Sequence, residues 1–150
     1  MGNLEDLSKK IEASIPRLQA ASANAEVVAN NEALGTILGR IFNDGQKTNG
    51  SKIGSYTSES YKRKRESAGL QTNQIDLQFE GDLFNSVQVG TLNGRPAVGI
   101  INSDEAEISG HLEERYGPIF QASLSEREQA ISTARDFMFN AIRKEIKTWS

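Results

Sequence analysis

Apolar residues recur at helical spacing toward both ends of the chain and at strand spacing between them. Leu4, Leu7, Ile11, Ile15 and Leu18 follow one another at intervals of three and four, the stripe of an amphipathic helix. Pro16 interrupts it. An internal proline has no N–H to donate and clashes one turn back, so a break or kink is expected over residues 14–17. A second helix is expected over residues 22–43, with Val27, Leu34, Leu38 and Ile41 on its buried face and Val28, Ile37 and Phe42 widening it. Gly35 and Gly39 each cost up to ~1 kcal/mol relative to alanine, so either they admit close packing or the helix is weak there. Asp44-Gly45 supplies a stop.

Residues 46–74 are the least regular stretch, rich in glycine, serine, threonine and asparagine, and they carry the basic run Lys62-Arg63-Lys64-Arg65. A stretch of this length without periodicity reads as an extended loop, either a working loop or a mobile one. Tyr56 and Tyr61 within it suggest docking onto a partner. Beyond it the period becomes two: Ile75, Leu77 and Phe79 alternate with Asp76, Gln78 and Glu80, as in a half-buried strand. Gly81-Asp82 punctuates, and residues 83–89 read as a strand or as a short helix leading into one. Asn93-Gly94 is a hairpin turn, since both positions tolerate positive φ, and residues 96–101 form the return strand with Pro96 at its start.

A short helix is expected over residues 105–115, closed by Gly117-Pro118. The last helix has the clearest pattern. Ser125 with Glu128 forms a capping box, with Ser123 and Glu126 as the alternative register. Ile131, Ala134, Met138, Ile142, Ile146 and Trp149 then recur at three and four, and this face is expected to pack on the sheet or on a neighbour. Strands segregated from helices predict an α+β fold, an antiparallel sheet with a β-hairpin flanked by N-terminal helices and one long C-terminal helix. The length suits one domain over residues 1–150, divided into a helical region 1–45, the basic loop 46–74 and a sheet-and-helix core 75–150.

Composition narrows the function more than the fold. Apolar residues at 37% and charged residues at 25%, with a mean hydropathy of −0.51, describe a globular chain with much polar surface. A net charge of −3 argues against a dedicated nucleic-acid binder. There is no cysteine, which removes disulfides and thiolate metal sites. No apolar run is long enough to span a bilayer, and residues 1–10 have no secretory apolar region, so assembly in the cytoplasm is expected.

Candidate chemistry is sparse. His111 is the lone histidine, no nucleophile elbow accompanies it, and it reads as a surface or packing residue. Asp104, Glu105, Glu107, Glu113 and Glu114 cluster in sequence, but on a helix they diverge. They read as a solvated, capped helix, or else as an acidic surface for a basic partner. Lys62, Arg63, Lys64 and Arg65 point around a helix or to both faces of a strand; they suit backbone contact with DNA or a solvated loop. No phosphate-cradling loop is present. No catalytic residue, metal ligand or cofactor site is therefore expected, and the chain reads as one that works through protein contacts.

The segments Gly69-Leu70-Gln71, Ile75-Asp76-Leu77 and Gly81-Asp82-Leu83-Phe84-Asn85-Ser86-Val87 follow one another in a characteristic order. They are followed by Ala97-Val98-Gly99-Ile100, by Tyr116-Gly117, and by Pro118, Phe120 and Ser125-Glu126. This order resembles the virion-morphogenesis proteins of tailed phages, the tail-completion or neck proteins that join head to tail. The resemblance implies an α+β subunit of a homo-oligomeric ring, six- or twelve-fold, in the virion neck between portal or adaptor and tail. It makes Gly81, Asp82, Leu83, Ser86, Val98, Gly99, Tyr116, Gly117, Pro118 and Phe120 structural positions of the motif. The expected partner contacts are Tyr56, Tyr61, Lys62, Arg63, Lys64 and Arg65, with sequence-independent contact to packaged DNA through the bases and no membrane contact. A tail terminator or minor tail protein is the alternative within the same assembly. A small DNA-binding protein and a metal-dependent hydrolase are the alternatives from other classes.

Overall fold

Asn3 starts the first helix. Its side chain accepts the Asp6 N–H at 2.9 Å while the Asp6 carboxylate accepts the Asn3 N–H, satisfying two donors that a helix start leaves unpaired. The computed structural model describes residues 3–150, so Met1 and Gly2 of the N-terminal reading lie outside the described residues. Helix α1 then runs Leu4–Leu38 without interruption. The break expected at Pro16, and with it the division into two N-terminal helices, does not occur.

The reason is that the turn holding Pro16 is fastened from outside by the C-terminal helix, α5 (Leu124–Lys147), which lies antiparallel along α1. The Lys10 ammonium donates to the Trp149 carbonyl at 2.6 Å, the Trp149 indole N–H donates to Ser14 Oγ at 3.0 Å, and Arg17 pairs with Glu145 at 2.9 Å. The hydrogen bond from Arg17 also holds the Glu145 carboxyl below its ordinary pKa. These contacts outweigh one missing helical bond. Pro16 itself is exposed and still leaves the carbonyl one turn back without its helical donor. Pro16→Ala is therefore expected to raise stability by about 1–3 kcal/mol, read as a higher Tm in thermal unfolding. An unchanged or lower Tm would mean that the α1–α5 contact uses the proline ring.

Gly35 and Gly39 weaken the helix rather than admit a neighbour, because nothing stands within 4 Å of the position a Cβ would take on either. At Gly39–Asn43 the helix widens into a π-turn, which buries Arg40, Ile41 and Phe42 in succession. Gly45 follows at φ 61; a Cβ there would meet the Ile75 carbonyl oxygen at 2.5 Å, so only glycine fits.

Residues 46–74 are not one loop. They contain helix α2 (Glu59–Ser67), capped by the Ser58 side chain. The strand expected over residues 75–79 does not form. Ile75 and Asp76 are both buried, and Leu77 takes a positive φ of 55, which ends the alternation. A short helix α3 (Asp82–Ser86) leads into the hairpin, as the pattern allowed. β1 (Val87–Leu92) and β2 (Arg95–Ile100) pair antiparallel from Leu92 with Arg95 to Val87 with Ile100. The turn between them has Asn93 at φ 51 and Gly94 at φ 78, the two positive values that a tight hairpin needs. Helix α4 (Ser103–Tyr116) is capped by Asn102 and ends at Gly117. α5 opens on the Ser123 and Glu126 capping box, the alternative of the two registers read from the sequence.

The fold is α+β: among the described residues there are five α-helices and a two-stranded antiparallel sheet. Ile37, Ile41, Phe42, Ile53, Ile75, Leu83, Val87 and Ile119 form the core. Each such side chain contributes about 1.5–3 kcal/mol by leaving water. Ile53, Ile75 and Ile119 come from irregular chain, so the connecting segments are built into the core. The core sits at the C-terminal end of α1, where β2 also packs, with Arg95 reaching Glu26 at 2.8 Å. The rest of the α1–α5 pair extends away from it.

Candidate functional site

Arg65 was expected to contact a partner and does not. It is 0% exposed and is held from every side. Its Nη2 donates to both Asp76 carboxylate oxygens, at 2.9 and 3.2 Å, its Nε donates to the Gln71 carbonyl at 2.8 Å, and its Nη1 donates to the Gln78 carbonyl. The guanidinium lies 4.5 Å from the centre of the Tyr56 ring. Tyr56 Oη donates to Asp76 at 3.1 Å, and Gln71 Nε2 donates to the same carboxylate at 2.5 Å. Burial pushes the Tyr56 phenol up to about 12, so it remains a donor near neutral pH. This network replaces the expected strand, because the carboxylate that the pattern put on a polar face has turned inward to meet an arginine.

The other bases of the run stay at the surface. Lys62 pairs with Glu59 at 2.9 Å, Arg63 is exposed, and the Lys64 ammonium stands 4.7 Å from the centre of the Phe79 ring. They point around α2 and do not form one compact site.

An open cleft of about 730 Å³ lies between residues 54–61, residues 75–83 and α4, with Tyr56 shared between its wall and the Arg65–Asp76 pair. Tyr56, Tyr61, Leu77, Phe79, Ile108 and Tyr116 line it. The Tyr61 ring bridges Tyr56 and Phe79, with centroids 5.4 and 6.0 Å away. Glu80, Asp82 and Glu105 stand among the lining residues, as does Arg115. An apolar, aromatic floor with acidic groups at its margin suits an apolar protein segment flanked by bases. The sequence singled out Tyr56, Tyr61 and Tyr116 but missed Leu77, Phe79 and Ile108, which belong to the cleft only because the chain turns at Leu77.

The remaining candidates do not converge. His111 is exposed, with Glu107 and Glu114 each 3.7 Å away. Glu113 is occupied internally, its Oε1 accepting the Ile119 and Phe120 N–H groups at 2.8 and 2.9 Å. Among the described residues, no group of three or more His, Asp or Glu side chains comes together as a metal site requires. Nor, among them, is any helix long and apolar enough to cross a membrane.

The residues that carry the resemblance occupy turn, core and strand positions. Gly81 takes φ 89 before α3, Leu83 and Ser86 are buried, and the Ser86 hydroxyl donates to the Leu83 carbonyl at 2.9 Å. Val98 and Phe120 pack against the core, and Gly99 lies opposite Gln88 in the hairpin. Tyr116 faces the cleft, Gly117 takes φ 90 to end α4, and the Pro118 carbonyl accepts the Thr48 N–H at 3.0 Å. Asp82 is exposed beside the cleft. No protein-family model matches the chain, and no curated protein or solved structure matches it.

Proposed function

We propose that this chain is a structural subunit of the tailed-phage neck, a tail-completion or head–tail connector protein that forms a six- or twelve-fold ring between portal or adaptor and tail. One observation carries the reading. Apart from Asp82 and Tyr116 at the cleft, the residues of the motif from Gly81 to Phe120 sit at turns, in the core and in the hairpin, positions that specify a shape. Two open features of the chain, the aromatic cleft and the apolar side of the long helix pair, are also surfaces suited to being gripped. In such a ring the affinity comes from many repeated contacts rather than from one strong site.

Tyr56 and Tyr61 act in this reading through the cleft, and Lys62, Arg63 and Lys64 through sequence-independent contact with packaged DNA; Arg65 has no part in either contact. The protein would be built in the host cytoplasm and reside in the virion neck. A tail-terminator role belongs to the same class and is the alternative within the same assembly.

The test is genetic. A stop codon in the gene, within the phage that carries it, is expected to yield filled heads and finished tails that remain separate in electron micrographs. Purified chain added to that lysate should join them and restore infectivity by several orders of magnitude. Normal, infectious virions in which mass spectrometry finds no trace of the chain would overturn the assignment.

A further inference from the structure

Asparagine followed by glycine occurs twice in the chain, at Asn49-Gly50 and at Asn93-Gly94, and all four residues are exposed. The pair is chemically labile. Glycine has no side chain to keep its backbone nitrogen from the carboxamide before it, and attack there is one reason asparagine is a thermolabile residue. The structure treats the two pairs differently.

Asn49-Gly50 is tied down. The Gly50 N–H donates to the Lys47 carbonyl at 2.9 Å and the Lys47 N–H donates to the Ser51 carbonyl at 2.8 Å, inside an antiparallel bridge between Gln46 and Lys52. Asn49 Oδ1 accepts both the Ser51 N–H at 3.0 Å and the Ser51 hydroxyl at 2.6 Å. The carboxamide is thus held toward residue 51 and the Gly50 nitrogen toward residue 47. Bringing the two together breaks the turn.

Asn93-Gly94 carries no such ties. Among the described residues the Asn93 carboxamide has no hydrogen-bond partner, and neither has the C=O or the N–H of the peptide that joins Asn93 to Gly94. Nothing stands within 4 Å of the position a Cβ would take on Gly94. The φ values of 51 and 78 make this a type I′ turn. Flipping its central peptide gives type II′, which keeps the positive φ of the first residue and also closes a two-residue hairpin. The flip carries Asn93 ψ to about −120°. At that angle the Gly94 nitrogen eclipses Cβ, as a planar five-membered imide requires. The turn therefore reaches the geometry of ring closure with the pairing of Leu92 and Arg95 intact.

We propose that Asn93 is a site of spontaneous deamidation and that Asn49 is protected from it by its turn. The Gly94 nitrogen gives up its proton and attacks Asn93 Cγ. The N–Cγ bond forms, the Cγ–Nδ2 bond breaks, and the side-chain nitrogen leaves with the proton as ammonia. Water then opens the imide at either carbonyl, giving aspartate or isoaspartate, and nothing is oxidised or reduced. Aspartate keeps the turn and adds a carboxylate near Arg95, which already binds Glu26 at 2.8 Å. Isoaspartate puts one more carbon into the backbone of the turn, so Leu92 and Arg95 lose their register.

The full-length chain is incubated in mildly alkaline buffer at body temperature and sampled by peptide mapping, with isoaspartate counted by enzymatic methylation of its free carboxylate. Asn93 should convert about ten- to a hundredfold faster than Asn49, a factor set by the hydrogen bonds that Asn49-Gly50 must first break. In concentrated urea the two rates should converge, because glycine follows both asparagines and no turn remains. Conversion of Asn49 as fast as Asn93 in the folded chain would overturn the proposal. So would an Asn93 that stays intact when folded while the unfolded chain reacts, or a tenfold difference between the sites that persists in urea.

Discussion

Arg65→Met is expected to destabilise the protein by about 3–5 kcal/mol, seen as a large fall in the urea midpoint. The substitution removes the cation paired with the Asp76 carboxylate, which is itself buried, and leaves it with the Tyr56 hydroxyl, the Gln71 amide and the Gln78 N–H. It also strands the Gln71 and Gln78 carbonyls that the guanidinium satisfied. A domain of this size has only about 5–15 kcal/mol in total, so the loss is a large share. Asp76→Asn should cost less, since Arg65 keeps two carbonyl acceptors and gains an amide oxygen. The double variant Arg65→Met with Asp76→Asn should be more stable than Arg65→Met alone, because no uncompensated carboxylate remains buried. By contrast, alanine at Lys62, Arg63 or Lys64 should shift stability by no more than about 0.5 kcal/mol. A cost below about 1 kcal/mol for Arg65→Met would mean that the Arg65–Asp76 pair is not what holds the cleft floor.

That contrast within one basic run shows where sequence reading stops. Lys62 to Arg65 are four like charges in a row, and nothing local separates the one that turns inward from the three that do not. The deciding partner, Asp76, sits eleven residues away in a segment whose period-two pattern pointed to a strand. Local signals were readable where local physics decides: Asn93-Gly94 at the hairpin, Ser123 with Glu126 at the start of α5, and Gly117 at the end of α4. They failed where a distant contact overrides them. Pro16 marks a break only for a helix standing alone, and α1 is held by Trp149 and Glu145 from the far end of the chain. The stripe Leu4, Leu7, Ile11 and Ile15 was correctly seen as apolar. The pattern records only sidedness, and Leu4, Leu7, Ile11 and Ile15 remain 42–86% exposed on α1. Likewise the cleft was half visible, in Tyr56, Tyr61 and Tyr116, because the residues that complete it are gathered by the turn at Leu77.

Arg40→Ala is expected to cost about 3–5 kcal/mol, seen as a large fall in the urea midpoint. The Arg40 side chain is nearly buried at the π-turn and reaches three separate segments. Its Nε donates to Glu126 at 2.7 Å, its Nη1 to the Gln46 and Ile119 carbonyls at 3.1 and 3.0 Å, and its Nη2 to the Gln121 carbonyl at 2.9 Å. Glu126 is in turn the capping residue of α5, its Oε2 accepting the Ser123 N–H at 2.7 Å. One guanidinium thus ties the end of α1, the segment after it, the segment after α4 and the start of α5. Glu126→Gln keeps one acceptor for two donors and should lose only about 1–3 kcal/mol, with Arg40 still bound to three carbonyls. The discriminating measurement is urea unfolding of the two variants side by side. Glu126→Gln should keep most of the stability that Arg40→Ala loses. A cost below about 1 kcal/mol for Arg40→Ala would show that the α1–α5 contacts alone hold these segments together.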